Sequence, residues 1–295
     1  MSTAAVLEAA AQNYDIKEIE YLRHGDKPLL ARVYLPHGSG PFPALVECHG
    51  GAWCNSDRFT EALRHKYMAS HGIVSIALDF RSGNTDPYPA SVQDINYAVR
   101  WAKAHAKELE TRPDLIGISG QSSGGHLAML AAMRPDDARY TAIKLPAGAP
   151  TVDASLRAVA MLWPVINPLS RYRHALRARD SANPPAWVGN IPDRHDLYWK
   201  TEAAMADGNP MLMLEKGEKV PTPPALWLQG RPDPVHDYHD ADSSFAGTEP
   251  ERFTANYRKA GGNIELLIVD QGERTTAETL GKVAAFFHQH IPVSR

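Results

Sequence analysis

Short apolar runs alternate along most of this chain with longer stretches whose apolar residues recur at every third or fourth position. The runs at 16–22 and 29–35, joined around His24-Gly25-Asp26-Lys27-Pro28, predict a hairpin. Pro41 and Pro43 introduce a compact run at 44–48 that leads into His49-Gly50-Gly51-Ala52-Trp53. Residues 59–71 have helical spacing and 73–80 form a further buried run. The stretch 88–108 then places Val92, Ile95, Ala98, Val99, Trp101 and Ala102 on one face of a long helix. Leu115, Ile116 and Ile118 stop at Gly120, and a helical pattern through His126, Leu127, Met129, Leu130 and Met133 begins at once. Strands at 158–163, 225–229 and 264–269 alternate with helices at 253–260 and 276–288, and a short helix is expected at 4–11. This order predicts an α/β fold built on a mostly parallel eight-stranded sheet with helices on both faces.

Residues 164–224 break the alternation. They hold no convincing strand, only a helical run near Ala203 and the side chains Tyr172, Arg173, Trp187, Tyr198 and Trp199. Placed between two sheet strands, the segment is expected to lie as a cap over the carboxyl edge, where open α/β sheets bind ligands. The expected organisation is a core of 1–163 and 225–295 with an inserted cap at 164–224. Trp187, Tyr198 and Trp199 are expected to bear on substrate choice, suggesting an apolar or aromatic acyl group, although such residues also fill cores.

Composition narrows the function classes. With 295 residues and 43% hydrophobic content the chain can bury a large core. A net charge of −3 and a pI near 6.5 leave no basic excess for phosphate binding, so nucleic acid is not an expected partner. The first residues lack a basic segment followed by an apolar core, and no run approaches the ~18 apolar residues of a membrane span. A cytoplasmic protein without a membrane partner is expected, and a homo-oligomer is compatible with this reading. Cys48 and Cys54 are the only cysteines, expected to be thiols, and neither a metal site nor a cofactor is expected.

The chemistry concentrates at Gly120-Gln121-Ser122-Ser123-Gly124, on the corner between strand and helix. Gly120 and Gly124 flank Ser122 where a sharp turn would leave no space for side chains, giving the spacing G-x-S-x-G. A serine there projects over a helix N-terminus, whose unpaired N–H groups and dipole favour negative charge. At the end of an earlier strand, the glycines of His49-Gly50-Gly51-Ala52 leave backbone N–H groups free to meet a tetrahedral oxyanion. A plain Gly/Ser turn and a tight His-Gly-Gly turn would look the same locally; the pairing of the two in this order favours chemistry.

The stretches HGGAW and GQSSGGHLA, with a strand followed by Gly230-Arg231-Pro232-Asp233, together resemble α/β-hydrolase esterases, above all the hormone-sensitive-lipase-like and neighbouring acyl-esterase or formamidase groups. The resemblance runs from about Leu30 to the last helix. It implies a Ser-Asp-His hydrolase acting on a small ester or amide, with Ser122 as nucleophile and Asp233 as the acid. It also implies oxyanion and substrate-binding positions at Gly50, Gly51, Ala52 and Ser123. His126 is expected to pack, and His49 to have a structural hydrogen-bonding role. One position departs from the pattern. Where the family carries its histidine, after the last strand, this chain reads Asp270-Gln271-Gly272-Glu273-Arg274-Thr275. His288 and His290 end a helix too far from that edge. His236 and His239 leave the sheet at the right edge, and His236 is the preferred base because it is nearer Asp233, with an expected titration near ~6.5.

Three readings follow. The first is a serine hydrolase forming an acyl-enzyme at Ser122. The second is a hydrolase fold with altered chemistry, such as a lyase or a slow acyl-transfer enzyme, in which Glu273, Asp270 or a cap residue replaces the imidazole. The third is a ligand-binding protein that kept the pocket without turnover.

Overall fold

Every apolar run singled out above becomes a strand of one sheet in the computed structural model, which describes residues 13–293. The helix expected at 4–11 lies outside the described residues. The strands are β1 (Tyr14–His24), β2 (Lys27–Pro36), β3 (Ala44–Cys48), β4 (Val74–Leu78), β5 (Ile116–Gln121), β6 (Val159–Leu162), β7 (Ala225–Arg231) and β8 (Ile264–Asp270). They lie in the order β1-β2-β4-β3-β5-β6-β7-β8, with β2 antiparallel to both neighbours and every other pair parallel. The hairpin turns at Gly25, whose φ of 57° suits a residue without Cβ.

The central strands are buried along their whole length, which is why they read as continuous apolar runs instead of alternating ones. Successive side chains still point to opposite faces. Ala44 and Val46 enter one core with helices α2 (Ala90–Ala104) and α3 (Ser123–Met133), while Leu45 enters a second core with α1 (Ala62–Ser70) and the C-terminal helix (Ala277–His290). No helix among the described residues is long and apolar enough to cross a membrane.

The 164–224 segment holds more structure than its sequence pattern suggests. Besides the helical run near Ala203, which is α6 (Glu202–Asp207), it contains α4 (Pro168–Arg179), α5 (Ile191–Trp199) and α7 (Pro210–Glu215). Prolines at the first or second positions of α4, α5 and α7 read as breakers in a sequence but are favourable at a helix start, where the missing N–H costs nothing. Asn167 and Asn209 cap α4 and α7, accepting from Ser170 and Leu212 N–H, both at 3.1 Å, and their side chains join each other at 2.8 Å. After β7 come α8 (Glu249–Lys259), then β8, then α9 (Ala277–His290). α8 starts before the expected 253 because Glu251 reaches back to Thr248 N–H at 2.9 Å and closes its first turn.

The expectation that Tyr198 and Trp199 set substrate choice is corrected by their position. Both are buried, Tyr198 stacking on Trp53 at a centroid distance of 5.6 Å and Trp199 meeting Trp53 edge-on at 5.4 Å and Tyr88 at 4.8 Å. They fill the seam between the segment and the sheet-covering elements, packed as core residues are. Trp187 stays partly exposed and stacks on His174 at 5.0 Å.

Candidate active site

β5 delivers the chain to Ser122, which turns it into α3 with φ 50° and ψ −121°. A non-glycine residue held there costs on the order of 1–3 kcal/mol and persists only where its surroundings over-determine it. Here they do: Ser122 N–H donates to Leu162 O at 2.9 Å, and Val165 N–H donates to Ser122 O at 3.0 Å. The glycines are sterically required. A Cβ on Gly124 would stand 2.2 Å from Cys48 O and 2.4 Å from His49 O, and one on Gly120 would stand 2.4 Å from Gly124 O. The first turn of α3 therefore rests directly on the end of β3.

The loop after β3 is held as tightly. Gly51 has φ 95°, and a Cβ there would meet Asn55 O at 2.3 Å; Ala52 and Trp53 follow at φ 49° and 61°. Cys54 and Asn55 N–H both donate to Gly51 O at 3.1 Å, closing the turn. Trp53 N–H donates to the buried Ser123 Oγ at 3.1 Å, pinning this loop to the serine corner. The N–H groups of Gly51 and Ala52 have no acceptor among the described residues. Ser123 N–H opens α3 and so lacks a helical partner. Gly50 passes close enough that a Cβ would lie 3.4 Å from the Ser122 Cβ.

From the far side of the sheet edge comes the loop after β7. Asp233 is buried, and its Oδ1 accepts from Val235 N–H at 3.1 Å and His236 N–H at 3.3 Å, a tight turn that swings His236 back over its own carboxylate. His236 Nδ1 then lies 2.9 Å from Asp233 Oδ2, and Nε2 lies 3.0 Å from Ser122 Oγ. A carboxylate only accepts, so Nδ1 carries the proton and Nε2 is left to accept from the hydroxyl. Burial would raise the Asp233 carboxyl, but the hydrogen bond and charge of His236, the Val235 N–H and Arg274 outweigh it and hold the group below its ordinary value. His236 is lowered, first by burial, against the pull of Asp233, with Arg171 and Arg274 disfavouring its protonated form further.

The remaining histidines lie elsewhere. His239 is exposed and joined to Gly247 O at 3.1 Å. His126 accepts from Trp53 Nε1 at 3.2 Å and donates to Gly208 O at 2.7 Å, fully buried and lowered to about 4 by that burial. His49 stacks flat on Phe80 at 4.0 Å, and His288 reaches His71 O at 2.8 Å. Both cysteines are free thiols. Where the family pattern calls for histidine stands Arg274, its guanidinium 4.1 Å from the Trp163 ring centroid and 3.7 Å from Asp233 Oδ2. Two roles carry no mark in the sequence. The Ser123 hydroxyl serves as a brace, and Arg171 is a buried cation on α4 that lines a cavity with His236. In a helix reading Pro-Leu-Ser-Arg-Tyr-Arg-His-Ala-Leu-Arg-Ala-Arg, nothing marks Arg171 apart from its neighbours.

Sheet order, serine corner and loop placement are those of an α/β-hydrolase. The fold agrees with a carboxylesterase, EstE1, from a metagenomic library at TM-score 0.70 and 21% identity, covering 98% of this chain and 94% of that one. The esterase Est2 of Thermogutta terrifontis gives 0.68 and 22%, covering 95% and 93%. The BD-FAE family model matches residues 32–243, and the chain belongs to that family. Among curated relatives, the carboxylic ester hydrolase LipN of Mycobacterium tuberculosis is 37% identical over 113 residues, 37% of this chain and 30% of LipN. The esterase LipC of the same organism is 33% identical over 116 residues, 39% of this chain and 28% of LipC. The matched stretch thus spans under a third of each of these relatives.

Proposed function

We propose that the protein is a carboxylic ester hydrolase that works through an acyl-enzyme at Ser122, with small amides as further candidate substrates. The observation that carries this reading is the row Ser122 Oγ, His236 and Asp233, joined at 3.0 and 2.9 Å. His236 Nε2 takes the hydroxyl proton as Ser122 Oγ attacks the ester carbonyl, and Asp233 steadies the imidazolium that forms. The oxyanion is met by the N–H groups of Gly51, Ala52 and Ser123, with Gly50 keeping the loop against the serine. As the tetrahedral adduct collapses, Nε2–H protonates the departing alcohol. Water activated by the same nitrogen then releases the acid and restores Ser122. Residues 164–224 serve as the cap over this edge, and the substrate is a small molecule.

The relatives' descriptions as ester hydrolases support the reading. Lyase-like and turnover-free alternatives rest on the missing histidine after β8, and His236 at 3.0 Å from Ser122 Oγ weighs against them. A fluorophosphonate probe should label Ser122 in the wild type and leave Ser122→Ala unmarked. Ester turnover should fall by about a thousandfold or more in that variant, because such residues act as a unit. Unchanged turnover in Ser122→Ala would overturn the mechanism.

A further inference from the structure

Arg171 is 2% exposed and, among the described residues, forms no ion pair, although the charge of Asp233 acts on it from a distance and Glu249 lines the same cavity. Its Nε lies 3.5 Å from His195 Nε2, its guanidinium sits 5.6 Å from the Trp53 ring centroid, and Nη2 is buried without a hydrogen-bond partner. Removing one partner from a buried ion pair is strongly destabilising because a charge is left uncompensated, so a cation kept in that state calls for a counter-ion that comes and goes. Burial lowers the group to about 10, which still leaves it positive at neutral pH. Arg171 shares a small cavity with His236, Val165 and Tyr238, and Val165 is bonded to the Ser122 carbonyl.

Resting on the ester-hydrolase reading, we propose that Arg171 recognises a carboxylate on the substrate, and that the protein prefers esters carrying a free acid a few bonds from the scissile carbonyl. The size of the cavity sets the geometry: about 10 Å³ admits one water-sized atom, such as a single carboxylate oxygen. Because the same cavity borders His236, the acid must be close to the reacting carbonyl, which selects short molecules. The monoester of a short dicarboxylic acid has this chemistry, and so does an acylated hydroxy acid. The cavity lining also includes Glu249, whose Oε1 accepts from Arg252 Nη1 at 2.9 Å and whose Oε2 has no partner among the described residues. Burial raises Glu249 to about 7, and in its protonated form it donates to the incoming carboxylate instead of repelling it.

The test compares matched pairs by the acid released at constant pH. Monoethyl succinate against ethyl pentanoate places the charge on the acyl side; O-acetyl-lactate against isopropyl acetate places it on the alcohol side. The wild type should favour the charged member of at least one pair by tenfold to a hundredfold in kcat/KM, the range of a charge-assisted hydrogen bond. The pair that shows it identifies the side. Arg171→Met should bring that ratio to about one, and Arg171→Lys, a point charge without the fork, should keep part of it. Ratios near one in both wild-type pairs, or a ratio that survives Arg171→Met, would overturn the inference. If Arg171→Met does not fold, the wild-type ratios and Arg171→Lys decide. If no ester is turned over at all, the hydrolase reading fails separately, and melting of Ser122→Ala with succinamate against pentanamide still tests Arg171. Stabilisation by the acid alone supports recognition, and equal effects refute it.

Discussion

His236 and Asp233 sit three residues apart on one loop, so a single tight turn fixes the imidazole, its carboxylate and the approach to Ser122. The consequence for the proposed base is a pKa lowered first by burial, with charges from two other elements adding to that effect. Burial, Arg171 and Arg274 all disfavour the imidazolium, and together they exceed the pull of Asp233. Base catalysis needs neutral imidazole, so kcat/KM should rise with pH through an inflection below the ordinary histidine value of ~6.5, lower than the sequence suggested. Removing a cation favours the protonated form, so Arg274→Met should move the inflection upward. His236→Ala should abolish the rate and its inflection, whereas His239→Ala should keep the wild-type profile, its ring being tied to Gly247. A pH–rate series from 4 to 9 on the four proteins checks this. An inflection above 6.5 in wild type, or a downward shift in Arg274→Met, would contradict it.

At the scale of elements, the serine corner works because β5, α3 and the end of β3 are packed closer than side chains permit. Gly124 makes the point sharply. On helix propensity alone, alanine there should stabilise α3 by about 1 kcal/mol. The Cβ would instead stand 2.2 Å from Cys48 O, backbone that moves only by displacing the loop that follows. Gly124→Ala should therefore destabilise by roughly 1–3 kcal/mol and lower activity by about a hundredfold, since an ångström of misplacement at the oxyanion donors suffices. Thermal melting and kcat/KM measured together check it; a stabilised, fully active variant would mean that the loop accommodates freely. These features were legible in the sequence because buried parallel strands must be continuous apolar runs and because only glycine fits two such contacts. Other features were not. His236 and His239 differ only in where a loop turn places them, and that turn is made by Asp233 accepting two backbone N–H groups, which no periodicity records. The helices α4, α5 and α7 carry proline within their first two positions, and the lack of an ion-pair partner for Arg171 exists only in three dimensions.

For the whole molecule, the question is whether the inserted segment moves as a separate body or belongs to the core. Its aromatics answer in favour of the core. Trp53, from the loop beside the serine, meets Tyr198 and Trp199, and His126 of α3 donates to Gly208 O in the segment. Tyr88 N–H also donates to Tyr198 O at 2.9 Å, so main-chain bonds cross the seam as well. Trp199 is 1% exposed at the centre of this cluster. Truncating it leaves a large cavity among rings that cannot collapse together, at a cost of about 3–5 kcal/mol. For a domain of this size that corresponds to a fall in melting temperature on the order of 10 °C. If Trp199 were instead a wall of the substrate site, its loss would change which acyl chains are preferred while stability held. Trp199→Ala should therefore melt much earlier than wild type, yet keep the same ratio of rates for acetate, butyrate and hexanoate esters below its transition. A small change in melting with a redistribution of those rates would show that the seam opens to substrate, and that the segment is less firmly joined to the sheet than its packing indicates.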